Sequence, residues 1–334
     1  MANINELLIG WGFGKQTDIA TANLLANIWR MGNLNKNPWP QNPVNEDDRA
    51  EIGKGHEFAT TLYKSHYAPE IYQIQRYASS EMLAWMLCFG LGHPPVVAAG
   101  QYTITPLNPV TDGTELPYFS LVQQIRPGGS SVLDQTFVGS AVKAWKLAIT
   151  KGPGRASAMC TVDCWTSGKY VEPSGITLPA PTVCHELNAG GLSLSINGVD
   201  YITPKTFETL DMGWDNAIRP GYYAGSGTQD GYQIQGRGEI GDRIPSFSFV
   251  ARYLNGSTQL ALLRALTLGT AVITLPLDAN NSFVGTWQEI GFEMVKLSDA
   301  AGIVTVQVTA IPMMHPSNGL FSAVVRCPVT GIGQ

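Results

Sequence analysis

The sequence predicts a mainly β fold, with β-sandwich or barrel-like sheets that each carry one packed α-helix, arranged as two tandem domains. Three observations predict it. Short runs rich in Val, Ile, Thr and aromatic residues recur between turn residues, which include 36 Gly and 21 Pro. The 334-residue length exceeds that of one ordinary core. A sequence of elements also occurs twice along the chain, and such self-similarity decides a fold before any local motif does. Charged residues make up 14% of the chain against 44% hydrophobic, a balance that buries enough apolar area to fold.

The expected boundaries follow from turn-rich breaks. Residues 1–27, opening Gly10-Trp11-Gly12-Phe13-Gly14, read as an N-terminal arm, 28–170 as the first domain and 191–334 as the second. Residues 171–190, with Pro173, Gly175, Pro179 and Pro181, read as a linker. Each domain contains a long polar connection, 41–70 with Glu51-Ile52-Gly53 and 219–243 with Glu239-Ile240-Gly241. A helix follows each connection. The first has a Ser79-Ser80 cap, Glu81 in the first turn, an apolar body around Trp85 and a stop at Gly90. The second follows Ser257-Thr258, carries Leu260, Leu263 and Leu266 at helical spacing, and stops at Gly269. These apolar side chains read as core. An Arg-Tyr pair, Arg76-Tyr77 and Arg252-Tyr253, precedes each helix.

Strand signals frame the helices. Residues 28–31, 192–196 and 207–210 read as strands, and Asn197-Gly198 is a hairpin turn signal. Phe137-Val138-Gly139 and Phe283-Val284-Gly285 each lead into a final two-faced hairpin. In the second domain Ile290, Phe292 and Met294 alternate with Glu289, Gly291 and Glu293, and Val304, Val306 and Val308 alternate with Thr305, Gln307 and Thr309. In the first, Ala158, Cys160, Val162 and Cys164 alternate with Ser157, Met159, Thr161 and Asp163, beside a partner strand at 137–150. An extra strand pair, 102–105 with 118–122, is expected as an insertion in the first domain.

The chain offers little for catalysis. Gly10-Trp11-Gly12-Phe13-Gly14-Lys15-Gln16 lacks the spacing and hydroxyl of a phosphate loop, and Gly225-Ser226-Gly227-Thr228 lies mid-loop. His56, His66, His93, His185 and His315 never take metal-ligand spacing, and Glu46-Asp47-Asp48 lacks the alternation of a calcium loop. The five cysteines, Cys88, Cys160, Cys164, Cys184 and Cys327, are an odd, scattered set read as reduced thiols. No Gly-x-Ser-x-Gly elbow occurs. The expectation is a soluble protein that is not an enzyme and needs no cofactor or metal, without a secretion signal or membrane helix. A net charge of −5 gives no basic field to hold nucleic acid. Tyr222, Tyr223 and Tyr232, in a Gly-rich loop, have the composition of interface anchors.

The ordered sum of loop, capped helix and terminal hairpin resembles tail tube proteins of long-tailed, siphovirus-like bacteriophages. So do the phrases Ser79-Ser80-Glu81-Met82-Leu83-Ala84-Trp85, Glu115-Leu116-Pro117-Tyr118-Phe119-Ser120-Leu121 and Ile244-Pro245-Ser246-Phe247-Ser248-Phe249. The resemblance spans most of the chain, with a duplicated tube domain as a departure from the commoner single unit. It implies a structural virion protein, assembled in the host cytoplasm, whose stacked rings form the hollow tube through which DNA is ejected. It also implies homotrimeric, pseudo-hexameric rings, or homohexameric ones if the first domain is not a true repeat. Implied partners are further copies of the chain, a tape measure protein in the lumen, tail tip and terminator proteins, and DNA in passage. Lumen-facing residues would be Ser157, Thr161, Asp163, Glu289, Glu293, Thr305, Gln307 and Thr309; inter-ring contacts would come from Glu46, Asp47, Asp48, Tyr222, Tyr223 and Tyr232. The alternatives are a distal-tail, baseplate or receptor-binding β-sandwich protein and, more remotely, a capsid decoration protein.

Overall fold

The computed structural model describes residues 9–16, 28–32, 34, 43–47, 62–67, 70–113, 115–125, 133–152, 157–166, 170–172, 176–202, 206–218, 240–253, 265, 268–300 and 302–332. The first strands are β1 (Ile9–Lys15), β2 (Ile28–Arg30), β3 (Pro43–Asp47), β4 (Leu62–Tyr67) and β5 (Glu70–Tyr77), followed by the helix α1 (Ser80–Leu91). Next come β6 (Val96–Ala98), β7 (Gln101–Ile104), β8 (Phe119–Ile125), the long β9 (Leu133–Thr150), β10 (Ala158–Thr166) and β11 (Tyr170–Val171). The remainder holds β12 (Ser193–Ile196), β13 (Val199–Ile202), β14 (Phe207–Asp215), β15 (Ile244–Arg252), β16 (Gly269–Pro276), the longest strand β17 (Ser282–Ala300), β18 (Ile303–Met313) and β19 (Phe321–Arg326). The fold is mainly β, as the strand signals predict: among the described residues seventeen strands join into one antiparallel network, and β3 with β4 forms a separate pair.

Both long strands change partners along their length. The first part of β9 pairs with β8 and β11, and its second part with β10 and β14. In the same way β17 begins between β16 and β19 and ends against β18. The helix packs against β7, β9, β10, β17 and β19, and all twelve of its residues are buried. Trp85 meets Phe13 and Phe119 at ring-centroid distances of 5.0 and 5.2 Å. Ser79 caps the start by accepting from the Met82 N–H, as the hydroxyl signal predicts.

Several expectations are corrected. The helix runs past Gly90 to a left-handed cap at Gly92 (φ 88°). Gly90 is small for a different reason: a Cβ there would lie 2.4 Å from Trp145 Cδ1 on β9. The expected arm contains β1, which pairs with β2 and β8 and buries Trp11 and Phe13. The strands of the supposed insertion form but do not pair with each other; β7 joins β6 and β19, whereas β8 joins β1 and β9. The linker is bound to the body. Thr182 N–H donates to Arg30 O, Gln124 Nε2 donates to Ile176 O, and Leu187 is fully buried. The connection 41–70 contains the β3–β4 hairpin. Separate cores were expected for two domains. Instead one hydrophobic cluster extends from Trp11 to Ile332, because β14 pairs with β9 and β19 with β7 across the expected boundary. Most of the second predicted helix and most of 219–243 lie outside the described residues.

Candidate functional site

Two three-stranded ladders carry the features of interest. In one, β10 lies between β5 and β9; in the other, β18 lies between β15 and β17. Their registers correspond. Cys164 faces Tyr72 and Val142 as Ala310 faces Phe247 and Phe292. Each ladder then has a one-residue bulge at the matching place, Lys143 on β9 and Glu293 on β17. Beyond it Asp163 faces Gln73 and Ala144, and Thr309 faces Ser248 and Met294. Even the closing bonds agree: Ala78 N–H donates to Ala158 O at 2.8 Å, and Tyr253 N–H donates to Val304 O at 2.9 Å.

The ladders are joined edge to edge by β14, which pairs with β9 on one side and β15 on the other. The result is a continuous run of strands in the order β5, β10, β9, β14, β15, β18, β17. Cross-strand partners share a face, so the registers define two surfaces. One is apolar and covered: Ile74, Val162, Leu147, Met212, Phe249 and Val308 are all at most 2% exposed. The other is polar and wetted. It includes Gln73, Gln75, Thr161, Asp163, Lys146, Thr209, Asp211, Ser248, Gln307, Thr309 and Lys296, each partly or fully exposed.

Two groups of opposite charges on the polar surface are paired. Lys146 Nζ lies 2.9 Å from Asp211 Oδ1 across β9 and β14. The Arg252 guanidinium and the Lys151 ammonium both bond Glu208, and the Arg252 bond first, then Lys151, holds its carboxyl below the usual range. Such a surface has no extended positive field with which to grip phosphates.

Of the residues expected on a lumen wall, Thr161, Asp163, Thr305, Gln307 and Thr309 lie on this polar face, and Thr305 is largely covered at 7% exposure. Glu289 shares the face further along the hairpin, opposite Met313. Glu293 is the exposed bulge residue. Ser157 is placed otherwise: it is 3% exposed, and its hydroxyl accepts from the Ala189 N–H. The bulge also moves Met294 across to the polar face, opposite Thr309, although strict alternation groups it with Ile290 and Phe292. Glu46 and Asp47 stand on β3, while Asp48, Tyr222, Tyr223 and Tyr232 lie outside the described residues. Sequence reading missed β14 as the connector and the Lys146–Asp211 pair. The strand signal at 207–210 marks its start, and Leu210, Met212 and Trp214 alternate with Asp211, Gly213 and Asp215, but neither names its neighbours.

No three His, Cys, Asp or Glu side chains converge as a metal site among the described residues. Burial raises the Cys160 and Cys327 thiols to about 12 and pushes Cys88 and Cys164 well up. Glu81, buried at the helix start, accepts from His185 N–H at 2.9 Å and lies 2.6 Å from His185 Nδ1, tying the segment before β12 to α1. No described helix is long and apolar enough to cross a membrane. Neither the family models nor the curated proteins compared with this sequence gave a match.

Proposed function

We propose that the chain is a structural, self-assembling subunit of a hollow tube, the tail tube protein of a long-tailed bacteriophage. The observation that carries the reading is the pair of register-matched ladders, joined edge to edge, with one polar face running across both. A sheet built from repeated ladders can be continued by further copies into a closed wall. With two ladders per chain, three chains supply six ladders to a ring. The polar face lines the channel, and its paired charges suit a surface past which DNA slides. The apolar face and α1 form the outer body. By the family resemblance, the partners are further copies, a tape measure protein within the lumen, and tip and terminator proteins at the ends.

The loop with Tyr222, Tyr223 and Tyr232 is assigned to contacts between stacked rings. Deleting residues 222–235 is expected to stop tube growth while leaving circular dichroism and the melting temperature unchanged; tubes of normal length from that variant would contradict the assignment. The whole reading is tested by negative-stain microscopy of the concentrated protein, with and without tail-tip complexes as seeds. Hollow tubes are expected. Small discrete particles under both conditions, with affinity for host cells, would favour a receptor-binding or baseplate protein instead.

A further inference from the structure

At the end of β17 opposite its hairpin with β18, the turns beside β7 and β19 enclose a cavity of about 450 Å³. That volume falls within the range of small-molecule sites, about 300–1,000 Å³. Its walls include the small residues Ala99, Gly100 and Ala279, and three polar side chains line it, Gln101, Asn280 and Arg326. Register brings the polar groups together. Arg326 faces Gln101 on β7 and Ser282 on β17, so guanidinium and carboxamide stand side by side on one face. The guanidinium has no acid to neutralise it: among the described residues its one bond is a long contact from Nη1 to Ala279 O, 3.4 Å. Asp278, next in the chain to Ala279, is committed to its own turn, where Oδ1 accepts from Asn280 N–H at 2.7 Å and from Asn281 Nδ2 at 3.0 Å. The carboxamides of Gln101 and Asn280 carry no bond among the described residues.

The β6–β7 turn shows why the cavity is open. It joins Ala98 to Gln101 through Ala99 and Gly100, with φ values of 48° and 75°. The β12–β13 turn has the same geometry, 52° and 75°, but holds Asn197, a residue that left-handed backbone favours. There the carboxamide fills the space beside the turn, donating to Leu268 O and accepting from Thr270 N–H. An Ala in that conformation is strained and gains no bond in return. Strain of this kind collects at functional sites, and a side chain no longer than a methyl at position 99 leaves the cavity free. We propose that the cavity binds a compact organic oxyanion, a carboxylate or phosphate on a body of monosaccharide size. The Arg326 fork holds the charged group, and the two carboxamides hold neighbouring hydroxyls. Binding of this kind does not depend on the tube reading, because these residues lie outside the two ladders.

Isothermal titration of the full-length protein with glucuronate, glucose 6-phosphate and uncharged glucose tests it. At least one of the anions should bind with a dissociation constant of about 1 mM or below, and glucose about 10-fold more weakly or worse, for want of the charge-assisted bonds. The better of the two anions identifies carboxylate or phosphate as the preferred group. Arg326→Gln should weaken anion binding about 10-fold or more. Ala99→Asn should raise the melting temperature by relieving the turn, yet weaken anion binding about 10-fold or more by filling the cavity; a turn with a structural role alone predicts the first effect without the second. Melting curves establish that both variants fold, and if Arg326→Gln does not, Ala99→Asn decides. No binding of either anion up to about 50 mM, glucose binding as tightly as the anions, or anion binding unchanged in the variants would each overturn the site. All of these results leave the tube reading where it stands.

Discussion

Asn216 shows how much a single side chain holds in this protein. It is fully buried, its Nδ2 donates to Gly90 O at the end of α1 and to Val142 O on β9, and its Oδ1 accepts from Trp214 Nε1. Asn216→Ala would strand three buried groups at about 1 kcal/mol or more each. Chemical denaturation should therefore show a loss of about 3 kcal/mol or more; a loss under 1 kcal/mol would mean that water replaces the amide. Buried thiols give a second residue-scale prediction. Cys160 is raised to about 12 from 9.0 by burial, so folded and unfolded states bind the same proton below pH 9. Above it the unfolded thiol ionises first, and the stability is lost as pH rises toward 12. Each thiol of this kind adds up to about 1.4 kcal/mol of loss per pH unit in that window. Cys160→Ala should flatten the alkaline limb of the stability curve, and an unchanged limb would contradict the burial argument.

Among the elements, α1 owes its place to both caps and to its packing against β7, β9, β10, β17 and β19. Ser79→Ala removes the acceptor for Met82 N–H and should cost about 1 kcal/mol. Gly90→Ala should cost more, about 1–3 kcal/mol, because its Cβ would collide with Trp145 rather than weaken the helix itself. A helix-propensity view predicts stabilisation by that same change, so thermal denaturation of the two variants separates the accounts. Elements with local signals were legible in the sequence. Asn197 and Gly198 take φ values of 52° and 75° at the β12–β13 turn that their dipeptide predicts. The β17–β18 hairpin and the cap of α1 were legible for the same reason. The partners of β7 and β14 were not, because each pairs with a strand far along the chain and alternation names a face but no neighbour. Bulges mislead in a further way, since one extra residue exchanges the faces beyond it and carries Met294 to the polar side.

At the scale of the whole molecule, repetition is visible in pairing more reliably than in phrases. The Arg-Tyr pairs lie one residue out of structural correspondence, since Tyr77 matches Arg252 through Met159 and Thr305. The Phe-Val-Gly phrases also fail to correspond, because Phe283 lies further ahead of its bulge than Phe137 does. What the ladders share is register, bulge and face, the properties that shape a wall. The polar face expected from hairpin alternation continues onto β14, where Asp211 pairs with Lys146 of β9. The measurement that tests the central claim most directly is averaging of end-on electron micrographs of the assembled protein, combined with mass per unit length along the same tubes. Six lobes around an open channel, with mass for three chains in each ring, is the predicted result; solid particles, or six chains behind six lobes, would contradict the account of two ladders per chain building one wall.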